Sequence, residues 1–308
     1  MPAAVEIESV TKTFGPQTAV ADLTLAVPED SIYGFIGPNG SGKTTTLRMI
    51  MRILHPDSGT IRVLGEDTWS SVNDRVGYLP EERGLYKQMS VREILRYYAA
   101  LKGLRDSRSA IDAWLERLDL TAHATKKVAA LSKGMSQKVQ FIATVVARPT
   151  LVLLDEPFSG LDPVNNEVLR EAILDLRKAG TTVIFSTHDM GVAEKMCDFI
   201  FMIYRGRKVL DGTLESIQDA YGSDTVRVRL EGEGDGLDGL PGVTKVTDFG
   251  RLQELRLDAG ADPQRVLSSL MERGRVRHFE LTRPSLQDIF VRIARPADEG
   301  EQSSVDQG

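Results

Sequence analysis

Apolar and polar residues along the first 221 positions follow two periods in turn. Short apolar or alternating runs predict strands, and apolar residues that recur at helical spacing predict helices between them. The predicted strands are Val5–Val10, Ala19–Val27, Ser31–Ile36, Thr60–Leu64, Val76–Pro80, Leu151–Leu154, Thr181–Phe185 and Phe199–Tyr204. Strands that alternate with helices favour a mainly parallel sheet that is covered by helices on both faces.

Helices are predicted most densely in an insert between about residues 86 and 149, with another at Thr45–Leu54. The apolar faces predicted for the insert are Ile94, Leu95, Tyr98 and Leu101, then Ile111, Leu115 and Leu118, then Val139, Ile142, Ala143 and Val146. Asp162 and Pro163 predict a further helix start, because an aspartate cap followed by proline is typical of helix N-termini. That helix is expected to end near Gly180.

The pattern changes beyond about Tyr221, and residues 222–296 are predicted to form a small, separate α+β domain. Its predicted elements are strands at Val226–Leu230, Val243–Phe249 and Leu252–Leu257, a helix at Pro263–Arg273, a strand at Val276–Leu281 and a helix after Pro284. Residues 297–308 are polar and acidic, which predicts a disordered tail. The role of this domain stays open between dimerisation, regulation, docking of another chain and added stability.

Composition narrows the class of protein. The chain has 308 residues, 41% hydrophobic and 27% charged, as expected of a soluble globular protein with about two domains. Its net charge of −6 gives no overall basic bias toward nucleic acid. The single cysteine, Cys197, excludes an intramolecular disulfide and is predicted to lie in the core. No secretory signal is predicted, and the longest apolar runs are far shorter than the roughly 20 residues of a membrane-spanning helix.

The most specific chemical signal is the stretch Gly37–Thr45, which lies between a predicted strand and a predicted helix. Its glycines let successive backbone N–H groups point inward at a helix N-terminus and bind phosphate. Lys43 is expected to reach the β- and γ-phosphates, and the Thr44 hydroxyl is expected to ligate Mg²⁺. The predicted nucleotide-binding residues of the loop are Gly37, Asn39, Gly40, Ser41, Gly42, Lys43, Thr44 and Thr45.

Two further segments carry candidate chemistry. Asp155 and Glu156 end a hydrophobic strand, where Asp155 is placed to hold Mg²⁺ and Glu156 to orient or deprotonate water. Ser132 and Gly134 form a second small anion-binding turn before a helix. One phosphate loop does not need a second such turn on the same face, whereas two copies of the chain that face each other would need it.

Five motifs in order make the segment from about Val5 to Tyr221 resemble the nucleotide-binding subunit of an ATP-binding cassette (ABC) transporter. They are Gly37–Thr45 (Walker A), Leu131–Gln137 (signature), Leu151–Glu156 (Walker B), Ser159–Asp162 (D-loop) and Ser186–Asp189 (switch histidine loop). The resemblance implies an α/β fold, namely a P-loop NTPase core of the RecA type with an antiparallel β subdomain and the helical insert.

The resemblance also implies residue roles. Two subunits would pack head to tail, as a homodimer or a paralogous heterodimer, with each ATP between the Lys43 loop of one chain and Ser132 and Gly134 of the other. Glu156 would be the catalytic base, and His188 would contact the γ-phosphate. The other implied contacts are Phe14, which would stack on adenine unless it is a core aromatic, and Asp162, which would combine a helix cap with a cross-subunit contact.

Three residues depart from the family pattern. Glu81 stands where a glutamine is usual, and its carboxylate is expected to accept a hydrogen bond from a metal-bound water and to change metal affinity. Lys133 and Met135 replace the usual glycine and glutamine of the signature segment. Together with the segments Leu79–Tyr86 and Pro284–Phe290, these departures resemble the branch that includes sodium-efflux ATPases and drug exporters.

The resemblance implies an ATPase subunit of an exporter that uses ATP and Mg²⁺ at the cytoplasmic face of the membrane. Its expected partner is an integral membrane permease, which Leu85, Tyr86 and Met89 would contact; no nucleic acid is expected. A soluble regulatory ABC ATPase acting on ribosomes or DNA is the alternative, which the single uninterrupted cassette and the acidic charge disfavour. A binding-only scaffold would lack catalytic residues, and none is missing here.

Overall fold

The computed structural model describes residues 2–67, 73–82, 84–222, 225–231, 237, 239–248, 250, 252–258 and 260–299. Apolar strands and amphipathic helices alternate through its first part. Its strands are β1 (Ala3–Phe14), β2 (Gln17–Pro28), β3 (Ile32–Ile36), β4 (Ser58–Val63), β5 (Val76–Leu79), β6 (Leu151–Asp155), β7 (Thr182–Thr187), β8 (Phe199–Tyr204) and β9 (Arg207–Gly212). Its helices are α1 (Lys43–Ile50), α2 (Val91–Leu101), α3 (Arg108–Arg117), α4 (Lys133–Val145), α5 (Pro163–Lys178) and α6 (Met190–Met196).

The central sheet has the strand order β5-β6-β7-β3-β8-β9. All neighbours run parallel except β9, which pairs antiparallel with β8. Every residue of β3, β6 and β7 is buried, as expected for parallel strands covered on both faces. The predicted mainly parallel sheet is therefore confirmed, and the carboxyl ends of β3, β6 and β7 meet at one edge.

A separate antiparallel sheet has the order β2-β1-β4. Its inner side chains, such as Val5 and Ile7, share one apolar cluster with α1 and with Phe35 and Phe201 of the central sheet. This arrangement agrees with the antiparallel β subdomain that the family resemblance implies. Strand β9 is absent from the predicted elements, because three of its six residues are charged and only Val209 and Leu210 are apolar.

The helical insert contains α2, α3 and α4, whose apolar faces pack into a common cluster. The predicted faces are confirmed except for Leu101, which is 59% exposed. Leu101 is the last residue of α2, where the helix leaves the cluster. Cys197 is half-buried beside this cluster, and burial raises the pKa of its thiol.

The second unit begins at Glu215, before the predicted domain boundary at residue 221. Its elements are α7 (Leu214–Tyr221), β10 (Thr225–Glu231), β11 (Val243–Asp248), β12 (Gln253–Leu257), α8 (Pro263–Arg273), β13 (Arg275–Thr282) and α9 (Leu286–Glu299). Helix α7 contacts the rest of this unit through a 3.0 Å hydrogen bond from Gln218 Nε2 to the Pro284 carbonyl and a 3.1 Å ion pair between Arg283 and Asp219. These contacts explain the earlier boundary.

The sheet of the second unit is antiparallel, with the order β11-β12-β10-β13. Its core includes Val226, Val228 and Leu255 of the sheet and Val266 and Leu270 of α8. Helix α9 continues through residues 297–299 of the predicted tail, while Phe249 and residues 300–308 lie outside the described residues. Among the described residues, no helix combines the length and the apolar character needed to cross a bilayer.

The start of α2 offers a test of the fold. Ser90 Oγ accepts a hydrogen bond from the Glu93 N–H, and the Glu93 carboxylate accepts one from the Ser90 N–H. We expect Ser90→Ala to lower the free energy of unfolding by about 1 kcal/mol, because the first turn loses its cap. Urea unfolding followed by tryptophan fluorescence measures this loss. Ser107→Ala is the matched control, because Ser107 precedes α3 without making a side-chain cap bond; equal losses in both variants would contradict the prediction.

Candidate functional site

The loop between β3 and α1 is held close to neighbouring backbone by two glycines. Gly37 has φ 154°, and a Cβ there would lie 2.2 Å from the Ile203 carbonyl oxygen of β8. Gly42 has φ 115°, and a Cβ there would lie 2.5 Å from the Ala19 carbonyl oxygen of β2. A Cβ atom would not fit at either position. Glycine therefore allows the loop to pack closely against the backbone of β8 and β2.

The N-terminus of α1 has no side-chain cap, which leaves backbone N–H groups of the first turn available to an anion. Lys43, the first residue of α1, is buried, and its ammonium donates hydrogen bonds to the carbonyl oxygens of Gly37 (2.7 Å) and Pro38 (3.2 Å). Burial lowers the pKa of Lys43 below its ordinary value, against the attraction of the Glu156 and Asp155 carboxylates. These donors make the loop a site for a polyanion.

Asp155, the last residue of β6, is fully buried. Its Oδ1 accepts hydrogen bonds from Thr44 Oγ1 (3.1 Å) and Ser186 Oγ (2.5 Å). Its Oδ2 is buried and has no hydrogen-bond partner among the described residues. A buried carboxylate oxygen without a donor is costly unless a cation binds it. Together with the Thr44 hydroxyl, this oxygen fits the oxygen ligands that Mg²⁺ prefers.

Glu156 follows β6 with φ 48°, in the left-handed region that few non-glycine residues adopt. Its carboxylate is almost buried and lies 3.7 Å from Lys43 Nζ. His188 Nδ1 lies 3.0 Å from Glu156 Oε1 and 3.1 Å from Oε2. The His188 side chain is 60% exposed, so the histidine reaches the carboxylate from the solvent side. The Glu156 carboxylate, the His188 imidazole and the Lys43 ammonium group therefore lie close together beside the loop.

A cavity of about 470 Å³ opens over this cluster. Its lining residues are Phe14, Gln17, Ala19, Asn39, Gly40, Gly42, Lys43, Thr44, Thr45, Glu81 and Glu156. Phe14 is 47% exposed, so the alternative of a core aromatic is wrong. Gln17 and Ala19 are absent from the predicted site, because they carry no local motif and reach it only through the path of β2. Gly37 and Ser41 are buried parts of the loop and do not line the cavity.

Glu81 lies at the rim of the cavity in the segment after β5. Gln140 of α4 positions this segment, because its Nε2 donates to the carbonyl oxygens of Pro80 and Glu82 at 3.3 Å each. Glu81 is exposed. The Glu81 carboxylate thus lines the same cavity as Lys43.

Three predicted nucleotide contacts outside the phosphate loop, Ser132, Gly134 and Asp162, do not line this cavity. Ser132 caps α4, where its Oγ accepts from the Met135 N–H at 3.2 Å. Asp162 caps α5, where its Oδ1 accepts from the Val164 and Asn165 N–H groups. The hydrogen bond from the Asn165 backbone is the main cause that lowers the pKa of Asp162. The predicted helix cap is confirmed.

Comparison with known proteins places this geometry in a family. Residues 20–159 match the family model described as ABC transporter. Residues 212–294 match the model described as ATP-binding protein DrrA1-3-like, C-terminal domain. A solved structure described as the ATP binding subunit of an ABC transporter superposes with a TM-score of 0.67 at 29% identity, over 71% of this chain and 93% of that one. The match confirms the predicted fold class.

Two relatives match almost end to end. The uncharacterised ABC transporter ATP-binding protein YhaQ of Bacillus subtilis (strain 168) is 40% identical over 287 residues, which cover 92% of this chain and 96% of that protein. The Nod factor export ATP-binding protein I of Burkholderia orbicola (strain AU 1054) is 32% identical over 298 residues, or 94% and 97% of the two chains. These matches and the DrrA-like C-terminal domain confirm the predicted family and branch. The chain belongs to the ABC transporter family, as an ATP-binding subunit that hydrolyses ATP.

Proposed function

We propose that this chain energises export through a separate membrane permease, with ATP bound between two head-to-tail subunits. Two similarities support export: one relative carries export in its name, and the C-terminal domain is DrrA-like. The observation that carries the two-subunit site is the division of anion-binding groups. Lys43 and the α1 N-terminus line one cavity, whereas Ser132 and Gly134 at the α4 N-terminus lie outside it.

A second copy turned head to tail would present Ser132 and Gly134 to the phosphates that the first copy holds. The first-turn N–H groups of α4 supply the same kind of positive dipole as those of α1. Helix α4 also contacts the catalytic side of its own chain, because the buried Gln137 Nε2 donates to the Pro157 carbonyl at 3.0 Å. Closure of the dimer would therefore act on the segment that follows Glu156.

Within each site, we assign the carboxylates different roles. Asp155 and Thr44 would hold Mg²⁺, which supplies neutralisation of the charge on the β- and γ-phosphates. Glu156 would accept the proton of the attacking water, and Lys43 and His188 would contact the γ-phosphate. Lys43 Nζ lies 3.7 Å and His188 Nδ1 lies 3.0 Å from Glu156 Oε1. A triphosphate would take over these two groups and free the carboxylate to bind water.

The exposed ring of Phe14 would stack on adenine, next to Gln17 and Ala19. Glu81 would accept a hydrogen bond from a water on the metal. The charge of Glu81 adds to the attraction for a cation and opposes the approach of a phosphate. A carboxylate at this rim would therefore make nucleotide binding depend more strongly on Mg²⁺ than an amide would.

We assign permease docking to a groove of about 270 Å³ beside the Glu81 segment. Its walls include Leu85, Tyr98 and the exposed Leu101, and Pro80 connects it to Glu81. Tyr86 is 56% exposed next to the groove, whereas Met89 packs on the helical cluster. A permease segment seated here would bring this chain to the cytoplasmic face of the membrane as a peripheral subunit.

Replacement of Glu156 tests its role as the base. We expect Glu156→Gln to lower kcat for ATP hydrolysis by at least about 100-fold, because an amide cannot accept the proton. ATP affinity should persist, and ATP should convert the variant to a stable dimer in size-exclusion chromatography with light scattering. Glu171→Gln removes a surface carboxylate that pairs with Arg117 at 3.8 Å and serves as the control. Hydrolysis by Glu156→Gln at the wild-type rate would contradict the assignment.

Complementation tests the shared site. We expect Lys43→Ala and Gly134→Asp each to abolish hydrolysis, because one removes a phosphate contact and the other faces the phosphates with a carboxylate. An equimolar mixture should recover about a quarter of wild-type activity, because half of the dimers are mixed and each mixed dimer keeps one intact site. A mixture of Lys43→Ala and Glu156→Gln should recover none, because both changes lie on the same half. Recovery in both mixtures, or in neither, would exclude the head-to-tail site.

Membrane association tests the docking groove. In lysates of cells that produce the chain, we expect Leu101→Arg to lower the share that sediments with the membranes and to raise the share in the soluble fraction. The reason is that a charge replaces an apolar contact. Leu101 is exposed, so the folded chain accommodates the change. Met271→Arg, at a position 66% exposed in the second unit, is the matched control. Equal sedimentation of both variants and the wild type would contradict docking at this groove.

A further inference from the structure

We propose that Ser186 is a positioning residue for both carboxylates of the ATPase site. Its hydroxyl would orient Asp155 toward the metal and hold the backbone of Glu156 in the conformation that aims the base. This inference rests on the roles proposed above for Asp155 and Glu156. Ser186 is not among the predicted site residues and does not line the nucleotide cavity.

Strand register brings Ser186 to this place. In the parallel pair β6–β7, Asp155 and Ser186 are partners across the ladder. Ser186 is fully buried, and its Oγ lies 2.5 Å from Asp155 Oδ1 and 3.0 Å from the Glu156 backbone nitrogen. The Glu156 N–H can only donate, so the Ser186 oxygen accepts from it and the hydroxyl proton goes to Asp155. The directions of both hydrogen bonds of Ser186 are therefore determined.

The consequence for Asp155 is a choice between its two oxygens. Oδ1 accepts hydrogen bonds from two hydroxyls, Ser186 Oγ at 2.5 Å and Thr44 Oγ1 at 3.1 Å. Oδ2 is left buried without a partner among the described residues. Two donors on one oxygen restrict rotation of the carboxylate and keep the other oxygen available to a cation. Loss of the Ser186 hydroxyl would remove the shorter of these two restraints.

The consequence for Glu156 concerns its backbone. Its φ of 48° lies in the left-handed region, which persists in a non-glycine residue only where neighbours stabilise it. The hydrogen bond from the Glu156 N–H to Ser186 Oγ is such a contact. Ser186 also lies two residues before His188, which contacts the Glu156 side chain. One strand end therefore holds Glu156 by its backbone and by its carboxylate.

A buried serine can also have a purely structural role, in which its hydroxyl only forms a hydrogen bond with a neighbouring polar group. Ser31 is such a serine. Ser31 is 4% exposed, lies just before the adjacent strand β3, and donates to the Pro28 carbonyl at 2.6 Å. Ser31→Ala therefore removes a buried serine hydroxyl from the same sheet without touching either carboxylate. It is the matched control for Ser186→Ala.

The experiment compares the full-length Ser186→Ala and Ser31→Ala variants with the wild type. We expect Ser186→Ala to weaken binding of Mn²⁺ in the presence of ADP by about 10- to 100-fold, as measured by electron paramagnetic resonance, because loss of a hydrogen bond to a metal ligand has effects of this size. Affinity for ADP in EDTA should stay unchanged. The kcat for ATP should fall by a similar factor and the Mg²⁺ concentration at half-maximal rate should rise.

Two more variants complete the test. Ser186→Thr keeps the hydroxyl and should recover most of the Mn²⁺ affinity. Ser186→Cys keeps the volume with a weak donor, and it replaces the alanine variant if thermal unfolding shows that the latter does not fold; it should lose Mn²⁺ affinity in the same direction. The proposal would be overturned if the folded alanine or cysteine variant had the same Mn²⁺ affinity and kcat as the wild type and Ser31→Ala. An active Glu156→Gln variant would instead refute the proposed base and leave the Mn²⁺ result to be judged separately.

Discussion

The parallel register of β3, β7 and β6 is the constraint on which the site depends. It pairs Ile36 with Thr187 and Asp155 with Ser186, so the phosphate loop, the carboxylates and the histidine segment all leave the sheet at one edge. A shift of one residue would turn Asp155 to the opposite face of the sheet and separate it from Thr44. The complete burial of these strands opposes such a shift, because it would carry residues from beyond the strand ends into the apolar core.

Charge balance explains why this edge is a binding site and not only a folded corner. A buried ammonium group and two buried or nearly buried carboxylates are close to one another, and His188 contacts the Glu156 carboxylate from the solvent side. Each charge is partly neutralised by its neighbours, but Asp155 Oδ2 has no donor among the described residues. The cluster is thus complementary to a ligand that brings both a cation and phosphate oxygens, as a metal-bound nucleotide does.

Local patterns account for most of the elements, and the exceptions have local causes. Strands β3, β6 and β7 were predictable because each contains a short apolar run, which is typical of a strand buried on both faces. Strand β9 was not, because its charged residues lie at the sheet edge where burial does not select apolar side chains. Leu101 keeps the helical spacing of α2, yet α2 ends there and the side chain meets solvent instead of the core. Periodicity reports the face of a helix, not what covers its last turn.

The sequence by itself determined the chemical groups of the site and the local backbone that presents them: the glycines and Lys43 of the loop, the acidic end of β6 and the aspartate cap of α5. Only the tertiary structure decided which groups meet. Thr44 reaches Asp155 across 111 positions and Ser186 reaches Asp155 across 31, while the exposure of Phe14 depends on the path of the strands around it. Short-range patterns encode φ, ψ and capping within a few residues, whereas these contacts arise from sheet register and packing, which join segments that no local motif connects.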